Sequence, residues 1–552
     1  APRNGIRGWL QRQGTPGQSL RGILMWKHGW RDEIWAGLAG PWDLIVIGGG
    51  ITGAGILREA SRAGLRTLLL EAHDFASGTS SRSSKMVHGG LRYLRNGQVN
   101  LTLESVHERE RLLREGRGLV TSLGQLMVSF EDDPMPLWVF GLGLTLYDLL
   151  ALKWGHRRYS AAALRGLCPP LSPEGLVGGY RYFDAQADDA RLVLRVIQEA
   201  VRGGGTALNY ARVESVLSGG DRQVAGVSLR DLAPEGRGRT AEVKAPAVIS
   251  AAGAWADDLR AQVGGRRRLR RLRGSHLMFS PERIPLTRAV CLTHPRDGRP
   301  VFAFPWEGVI VAGTTDVDLG TGIGTDPSIQ PGELDYILAS LQRAFPGLDL
   351  GPQDVISTIA GIRSVVDTGK ADPSKESREH VLWDENGLLT VTGGKLTTFR
   401  LMAHDALRAV RSRLPGSPRF NPHLRVLDAP PADADLLATL DPPARLRLLG
   451  RYGFDARGLA EAAREGELSS IEGGVSLWAE LRWAARAEGV IHLDDLLLRR
   501  VRLGLLSPGG GAPLLPRIRE IAQAELGWDD TRWDAEARDY ARLWERSYYL
   551  PR

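Results

Sequence analysis

The chain has 552 residues, of which 43% are hydrophobic and 24% charged, and its formal net charge is +7. A chain of this length and composition can bury a large core and should form about two to four domains. Its two cysteines, Cys168 and Cys291, exclude a disulfide-stapled fold and indicate a reducing cytosol. The excess of basic residues favours anionic partners, such as a phosphorylated substrate or a lipid surface.

Residues 1–40 form a basic segment that is rich in tryptophan. The segment lacks the apolar run of a signal peptide. Basic side chains mixed with tryptophan are typical of segments that bind an anionic membrane interface, and a disordered extension is the alternative. The residues that carry this pattern are Arg3, Arg7, Trp9, Arg12, Arg21, Trp26, Lys27, Trp30, Arg31 and Trp35.

The segment from Asp43 to Glu71 has the order of a dinucleotide-binding unit, namely strand, glycine turn, helix, strand and acid. The apolar run at 43–47 predicts a buried parallel strand, the pattern at 52–63 predicts a helix, and 67–70 predicts a second strand. A glycine motif alone is weak evidence in a chain with 67 glycines. The complete order is specific for a dinucleotide site.

Three glycines and one acid in this unit predict how it binds the dinucleotide. Gly48 permits the tight turn, Gly50 lets the backbone approach a pyrophosphate at the helix N-terminus, and Gly53 lets helix and strand pack closely. Glu71 is placed to accept hydrogen bonds from a ribose diol, and its charge disfavours NADP. A purely structural glycine turn is the alternative.

The stretch GTSSRSSKMVHGGLRY at 78–93 favours FAD over NAD. It directly follows the second strand, where an NAD-binding fold would continue into its next helix. Its hydroxyls and backbone amides can bind a diphosphate, and its glycine pair lets the chain pass close to a flat ring. A polar surface loop is the alternative. The residues predicted here to contact the cofactor are Thr79, Ser80, Ser81, Ser83, Ser84 and Lys85.

Two distant segments are predicted to complete the cofactor site. Residues 248–255 form a short apolar strand that breaks at Gly253, and residues 392–400 form a glycine turn that opens a helix. A helix N-terminus with a lysine beside it suits the electron-rich edge of a flavin. Either segment can instead be an ordinary strand and turn. The second segment contributes Gly393, Gly394, Lys395, Leu396 and Thr397.

With these motifs the sequence resembles the FAD-dependent glycerol-3-phosphate dehydrogenases, the respiratory enzymes that pass electrons to quinone. The resemblance covers about residues 42–402 and extends more weakly into the helical segments 480–488 and 493–502. The matching stretches are DLIVIGGGITGAGI from Asp43, TSSRSSKMVHGGLRYL from Thr79, YFDAQADDARLVL from Tyr182, GSHLMF from Gly274, AGTTDVD from Ala312, AGIRSVVD from Ala360 and TGGKLTTFR from Thr392.

The resemblance implies oxidation of sn-glycerol 3-phosphate to dihydroxyacetone phosphate. For phosphate recognition it implies Arg92, Arg363 and Arg378, because the planar guanidinium fork binds phosphate oxygens bidentately. Tyr93, next to the first of these arginines, is also expected to contact the substrate. A surface ion pair is the alternative for each arginine.

The secondary alcohol must lose a hydride from C2 and the proton of its hydroxyl. We expect His88 to accept the proton, because imidazole has an unperturbed pKa close to working pH, and His276 is the second candidate. A hydrogen-bonded structural histidine is the alternative. Lys395 is expected near the flavin, where its charge stabilises the reduced ring.

The order of the motifs predicts an α/β fold, α+β overall, in which a Rossmann-type FAD-binding domain carries a substrate cap with an antiparallel sheet. The FAD-binding domain must be discontinuous because its motifs are scattered along the chain. The predicted segments are 41–115, 175–262 and 355–410 for the FAD-binding domain, and 116–174 and 263–354 for the cap.

Three other segments complete the predicted organisation. Residues 137–152 form an apolar run too short to cross a bilayer, so buried core is predicted, with a membrane-dipping helix as the alternative. The arginine-rich run 266–273 is predicted to be a solvated strand face, with membrane anchoring second and nucleic acid a distant third. Residues 425–552 are predicted to form a helical domain with a core stripe of Trp533, Ala537, Tyr540 and Trp544.

The sequence thus predicts FAD-dependent oxidation of glycerol 3-phosphate, with membrane quinone as the electron acceptor. We expect a cytoplasmic protein in peripheral contact with the anionic inner face of the cell membrane, compatible with a homodimer, and without nucleic acid or a metal ion. A hydrogen-peroxide-forming oxidase of the same fold, acting on glycerol 3-phosphate or an amino acid, is one alternative. A non-catalytic flavoprotein scaffold is another. The motif arginines favour a phosphorylated substrate, but nothing in the sequence separates quinone from oxygen.

Overall fold

The chain folds into two large sheets, a small third sheet and a helical C-terminal part, which confirms the predicted fold class. This architecture is taken from a computed structural model. The residues that the structure describes are 26–27, 29–91, 94, 98–151, 154–220, 222–320, 326–369, 376, 379–430, 437–472 and 474–551.

The strands are labelled in chain order. They are β1 Leu44–Ile47, β2 Thr67–Leu70, β3 Met86–Val87, β4 Val120–Phe130, β5 Arg157–Ser160, β6 Leu176–Ala187, β7 Thr206–Leu208, β8 Ala211–Ser218, β9 Val224–Asp231, β10 Thr240–Lys244, β11 Ala247–Ser250, β12 Leu269–Phe279, β13 Ala289–Thr293, β14 Pro300–Trp306, β15 Val309–Gly313, β16 Val317–Asp318, β17 Val355–Val366, β18 Val381–Glu385 and β19 Leu388–Thr392.

The α-helices are labelled in the same way. They are α1 Trp30–Gly37, α2 Ile51–Arg62, α3 Val99–Glu115, α4 Leu137–Ala151, α5 Ala161–Leu167, α6 Asp189–Arg202, α7 Ala256–Gln262, α8 Pro331–Ala344, α9 Phe399–Ala409, α10 Pro442–Tyr452, α11 Asp455–Ala462, α12 Trp478–Ala487, α13 Leu503–Leu506, α14 Leu515–Leu526 and α15 Asp530–Ser547. Short 3₁₀ turns near the candidate site are Thr79–Ser81, Gly253–Trp255 and Leu396–Thr398.

The first sheet has the strand order β18-β19-β11-β1-β2-β7 and is parallel except at the β18 edge. Strands β1, β2 and β11 are buried along their whole length, which agrees with their continuous apolar sequences. Helix α2 follows β1 and packs against α6 and α9. The carboxyl ends of the parallel strands therefore meet at one edge, where ligands bind in open α/β sheets.

The second sheet has the order β16-β12-β15-β14-β13-β4-β6-β3, with β17 beside β12 and β5 beside β6. Its pairs are antiparallel except for β13 with β4. Strands β6 and β17 belong to this sheet, although the predicted boundaries assigned both to the FAD-binding domain. Pairing with the distant β4 and β12 decides the sheet membership of β6 and β17, and the domain boundaries stay a prediction.

The N-terminal segment is an integral part of the fold from Trp26 onwards. Trp26 and Trp30 are only 3% and 7% exposed and belong to the core around the first sheet. Arg31 on α1 pairs with the buried carboxylate of Asp231. The prediction of a membrane-binding or disordered extension is therefore wrong for this part, and the residues before Trp26 lie outside the described residues.

Helix α4 contradicts the prediction of a buried core segment. Trp138, Leu142, Leu146 and Leu149 are 65%, 62%, 44% and 62% exposed. They recur three or four residues apart and so share one face of the helix, which we call the apolar surface of α4. The opposite face is buried. No helix among the described residues is both long and apolar enough to span a bilayer.

The arginine-rich run divides between solvent and structure. Arg266 to Arg268 are exposed, as predicted for a solvated face. Arg271 is buried and donates from Nε to the carbonyl of Ala254 at 2.9 Å, and Arg273 pairs with Glu333 at 2.8 Å. The second half of the run therefore attaches β12 to its neighbours.

The C-terminal part is helical, as predicted, and its core contains Trp533, Tyr540 and Trp544. A buried ion cluster attaches it to the first sheet, because Asp74 accepts hydrogen bonds from both Arg499 and Arg500. Burial alone would raise the pKa of Asp74, but the two guanidinium groups lower it to about 2. The cluster therefore stays charged over the whole working range of pH.

Candidate active site

A cavity of about 480 Å³ opens at the carboxyl ends of the parallel strands. Segments that are far apart in sequence meet on its wall, as the topology of the first sheet requires. The wall residues that the sequence predicted as cofactor contacts are Gly48, Gly50, Glu71, Thr79, Ser80, Gly253, Gly393, Gly394, Lys395 and Leu396.

Three glycines around the start of α2 shape one side of this cavity. A Cβ on Gly48 would lie 2.5 Å from the carbonyl oxygen of Ala251, and a Cβ on Gly53 would lie 1.9 Å from that of Gly48. A larger side chain at either position would push the backbone apart. A Cβ on Gly50 would lie 3.0 Å from the Ser80 hydroxyl, on the cavity wall. The backbone is therefore left bare where a pyrophosphate approaches the helix N-terminus.

Glu71 stands at the end of β2 on the same wall. Its carboxylate accepts hydrogen bonds from the N–H of Gly49 at 2.6 Å and of His73 at 2.9 Å. Burial raises the pKa of Glu71, while these two amide donors act in the opposite direction. The amides fix the orientation of the acid beside the glycine turn, where a ribose diol would be bound.

The turn between β19 and α9 forms another part of the cavity wall. Gly393 and Gly394 have φ values of 76° and 72°, a region that favours glycine. Lys395 follows them on the wall. The bare helix N-terminus suits a diphosphate, and the acid suits a ribose. The cation beside a glycine turn suits an electron-rich ring. The lining therefore fits FAD.

Lys85 and Ser81 lie on neither cavity wall, although the sequence predicted that both contact the cofactor. The Lys85 amine is fully buried, 2.9 Å from the carboxylate of Asp189, and donates to the carbonyl of Ser81 at 2.6 Å. Burial lowers the pKa of Lys85 to about 8. Lys85 therefore forms a buried ion pair with Asp189.

A second cavity of about 310 Å³ adjoins the first. Thr79, Arg363, Lys395 and Leu396 line both, so the two cavities meet at these side chains. The other predicted residues on the second wall are Ser83, Ser84, His88, His276 and Thr397.

Arg363 and Lys395 place two cations at the junction. Arg363, on β17, donates from Nη2 to the carbonyl of Thr315 at 2.9 Å and lies 3.5 Å from Asp316. The Lys395 amine donates to the Ser105 hydroxyl at 2.8 Å. Two positive groups on the wall of a confined cavity attract an anionic ligand.

His276, on β12, is the more deeply placed of two histidines on the second wall. Its Nε2 lies 2.9 Å from Oγ of Ser84, and its Nδ1 is buried with no hydrogen-bond partner in the part of the chain that the structure describes. Burial, followed by the charges of Lys85 and Arg363, lowers the pKa of His276 to about 3. The ring is therefore neutral at working pH.

His88 lies on the same wall, after β3. Its backbone carbonyl accepts a hydrogen bond from the Thr397 hydroxyl at 3.3 Å, which connects the two predicted motifs. Arg92, Tyr93 and Arg378 lie outside the described residues.

Five further residues on the second wall were not identified as site residues from the sequence. Tyr182 donates from its hydroxyl to Oε1 of Gln125 at 2.5 Å. Tyr182, Asp184 and Thr314 belong to the stretches that carry the family resemblance, which was the available signal. Gln125 and Phe302 lie on strands without a motif, so no sequence signal distinguished them. The five residues are Gln125, Tyr182, Asp184, Phe302 and Thr314.

The chain is similar to two protein families over most of its length. Residues 43–400 match the profile of the family described as FAD dependent oxidoreductase. Residues 411–533 match the profile described as the C-terminal domain of alpha-glycerophosphate oxidase. The two matches together cover the residues that line both cavities and the helical C-terminal part as far as residue 533.

Individual proteins show the same similarity. The chain is 33% identical over 488 residues to the aerobic glycerol-3-phosphate dehydrogenase of Staphylococcus aureus strain MRSA252, covering 83% of this chain and 86% of the relative. It is 27% identical to the glycerol-3-phosphate dehydrogenase from Bacillus halodurans, solved in complex with FAD, with a TM-score of 0.76 over 95% of this chain and 98% of the other. The L-alpha-glycerophosphate oxidase from Mycoplasma pneumoniae shares the fold alone, with 16% identity and a TM-score of 0.56 over 70% of this chain and 98% of the other.

Proposed function

Because the chain belongs to the FAD-dependent glycerol-3-phosphate dehydrogenase family, we propose that it oxidises sn-glycerol 3-phosphate to dihydroxyacetone phosphate. The observation that carries this proposal is the junction of the two cavities at Arg363 and Lys395. FAD, when bound in the larger cavity, supplies the acceptor for the hydride from C2. The smaller cavity then holds the three-carbon phosphate ester.

Arg363 is the proposed phosphate ligand. A guanidinium has five N–H donors in a planar fork, and one of its terminal nitrogens, Nη2, is already held by the Thr315 carbonyl. This anchor fixes the orientation of the fork, which lowers the entropy cost of binding a phosphate. Arg92 and Arg378 are proposed as further phosphate ligands, and Tyr93 as a substrate contact, on the strength of the sequence resemblance.

We propose His276 as the group that accepts the hydroxyl proton, with His88 as the alternative. A proton acceptor must be unprotonated when the substrate arrives, and burial keeps the His276 ring neutral. The charge of Arg363 contributes to this low pKa after burial and Lys85, so a dianion bound at Arg363 would offset part of the lowering. Lys395 is proposed to stabilise the negative charge of the flavin ring once it is reduced.

We further propose that the protein works at the inner face of the cell membrane and passes electrons to a quinone. The apolar surface of α4 supports this proposal, because a group of exposed leucine and tryptophan side chains suits a lipid interface. Arg157 and Arg158 are exposed on β5, which follows α4, and suit anionic headgroups. An oxidase that uses oxygen would need no such surface. A homodimer stays a prediction.

The test is anaerobic mixing of the FAD-loaded protein with glycerol 3-phosphate while the flavin absorbance is followed. Rapid loss of the absorbance is expected, and glycerol at the same concentration should produce little change. Absorbance that does not change with glycerol 3-phosphate would refute the proposed substrate. Adding either a short-chain quinone or oxygen to the bleached protein then compares the two acceptors, and faster recovery with oxygen would favour the oxidase.

A further inference from the structure

Helix α4 packs behind the wall of the second cavity, and its buried Tyr147 bonds to a residue of that wall, Asp184. The tyrosine hydroxyl donates to Oδ1 of Asp184 at 2.8 Å, and the same oxygen accepts from the backbone N–H of Gly89 at 3.0 Å. Arg109 donates to the Tyr147 hydroxyl and to Asp184, at 2.6 and 2.7 Å. Tyr147 and Asp184 are 2% and 4% exposed, so water does not compete for these bonds.

The same tyrosine also limits the space at Gly89. A Cβ on Gly89 would lie 2.2 Å from Oη of Tyr147 and 2.6 Å from a methyl group of Val106. The hydroxyl therefore packs against the Gly89 peptide as well as holding the carboxylate that binds it. His88 and Gly90, on either side of Gly89, both line the second cavity. The contacts at Gly89 therefore hold the backbone of His88 and Gly90 in place on this part of the wall.

Tyr147 itself does not line the cavity, so it acts only through its neighbours. Burial and the nearby charge of Asp184 raise the pKa of the Tyr147 hydroxyl well above its ordinary value. The hydroxyl accordingly remains a donor at every working pH. Because the side chain does not line the cavity, its part in the reaction is to hold neighbouring groups in place.

We propose that Tyr147 is a positioning residue for the reaction: through Asp184 and Gly89 it fixes the part of the wall formed by His88 and Gly90. The proposal rests on glycerol 3-phosphate being the substrate of this cavity. The two faces of α4 then have different roles. The face with Tyr147 holds the cavity wall, and the opposite face carries the apolar surface of α4.

The first test compares Tyr147→Phe with a control on the same helix. Thr145 donates to the Gly141 carbonyl within α4, so Thr145→Ala perturbs the helix without touching the cavity wall. Tyr147→Phe should raise KM for glycerol 3-phosphate about 10-fold, the usual cost of a lost buried hydrogen bond, with a smaller change in kcat. Thr145→Ala should leave KM unchanged. An unchanged KM in Tyr147→Phe, or an equal rise in Thr145→Ala, overturns the proposal.

A double variant tests the direct contact. Gly89→Ala should raise KM because its new methyl group overlaps the Tyr147 hydroxyl. Removing that hydroxyl relieves the shortest contact, while the Val106 methyl at 2.6 Å and Cζ of Tyr147 at 2.8 Å remain. Gly89→Ala combined with Tyr147→Phe should therefore have a KM below the product of the two single effects. Strictly multiplicative effects overturn the proposal. If Tyr147→Phe does not fold, Gly89→Ala alone must still raise KM, and an unchanged KM then overturns it.

Hydrogen exchange of the FAD-loaded protein provides a readout that needs no turnover. The Gly89 amide, which is bonded to Asp184, should exchange at least several-fold faster in Tyr147→Phe than in the wild type or in Thr145→Ala. Equal exchange in the three proteins would refute the positioning role. If the wild type does not oxidise glycerol 3-phosphate, the proposed function fails, and the exchange rates still decide whether Tyr147 holds this segment.

Discussion

Among single residues, Arg363 offers the clearest test of substrate binding. One of its nitrogens donates to a backbone carbonyl, and its side chain lies where the two cavities meet. Arg363→Ala should raise KM for glycerol 3-phosphate by about 10- to 100-fold, since a charge-assisted hydrogen bond to phosphate is lost. Steady-state kinetics with a dye as electron acceptor measures this change. Arg363→Lys should lie between wild type and alanine, because it keeps the charge and loses the fork.

Glycerol serves as the internal control for this variant, because it has no phosphate to lose. Its oxidation, already poor, should barely respond to Arg363→Ala. Equal damage to both substrates would assign Arg363 to the cofactor or to the fold.

The two histidines on the second wall should differ in their effect on the chemical step. His276→Asn should lower kcat by about 100-fold, as loss of a general base does, whereas His88→Asn should lower it less. The pKa of His276 is about 3, so acid protonates the free-enzyme ring only as the pH falls towards that value. The kcat/KM profile should therefore show no loss from this ring near neutral pH. Single-turnover flavin reduction compares the variants, and a larger loss in His88→Asn would move the role to His88.

Gly50 tests the cofactor site separately from the chemistry. Gly50→Val places a branched side chain against Ser80 where the pyrophosphate approaches, so a folded protein without bound flavin is expected. Absorbance after gel filtration measures the flavin content. Gly332, in the first turn of α8 with open space around it, supplies the matched control, and Gly332→Val should keep its flavin. Stoichiometric flavin in Gly50→Val would contradict the site.

The contrast between Gly53 and Lys85 shows what the sequence could reveal about single residues. The spacing of Gly53 within one local unit was enough to predict its close packing, which the 1.9 Å approach to the Gly48 carbonyl reproduces. Lys85 lies in an equally suggestive motif, but its partner Asp189 is 104 residues away along the chain. Burial of a charge against a distant partner depends on tertiary contacts, so no local pattern could place this lysine.

Among the elements, α4 carries the prediction about the membrane. Replacing Leu142 and Leu149 with Glu should weaken binding to anionic vesicles by at least about 10-fold, because apolar area is lost and repulsion is added. Vesicle sedimentation measures the binding. Activity with a water-soluble dye should stay close to that of the wild type, because both side chains are 62% exposed.

The control for this pair must carry the same chemical change elsewhere. Leu446 on α10 is 42% exposed, so Leu446→Glu adds charge at an exposed leucine of the C-terminal part. Its vesicle binding should match that of the wild type. A double variant on α4 that sediments with vesicles as well as this control would assign the apolar surface of α4 to another partner.

Helix α4 also shows why the sequence could not predict which face of the helix is buried. Periodicity separates the two faces of a helix only when one face is polar. In α4 the exposed Trp138 and Leu142 and the buried Leu144 and Tyr147 are all apolar or aromatic, so the pattern carried no information about which face is covered. The sheet membership of β6 and β17 could not be predicted for a related reason, since their patterns indicate strands but not the strands with which they pair. Strand β2, which belongs to a local βαβ unit, was predicted with the correct bounds.

At the scale of the whole molecule, the C-terminal helices and the first sheet are joined by ionic contacts as well as by packing. His492 follows α12 and its Nδ1 lies 2.9 Å from Glu536 on α15. Tyr210, from the loop between β7 and β8, donates to Asp495 at 2.7 Å and packs edge-on against the His492 ring at 5.0 Å. The charge of one histidine therefore bears on the contact between distant parts of the chain.

The stability of this contact should depend on pH in a predictable direction. Burial alone would lower the pKa of His492, but its hydrogen bond to Glu536 and the charge of Asp495 raise it to about 9. The unfolded value is about 6.5, so the stabilisation is fully present below pH 6.5 and is lost as the pH rises through 9. His492→Gln should cost up to ~3 kcal/mol at pH 6 and much less at pH 10.

Thermal unfolding of wild type and His492→Gln at pH 6, 8 and 10 measures this effect as a difference in Tm at each pH, which cancels the pH response of the rest of the protein. The gap should narrow steadily across the series. His294 provides the control, because burial lowers the pKa of His294 below its ordinary value and so keeps its ring neutral at pH 8 and 10. His294→Gln removes the stacking contact with Tyr336, so it should lower Tm by a similar amount at these two values. A constant gap for His492→Gln would show that His492 stabilises the fold by the packing of its ring and not by its positive charge.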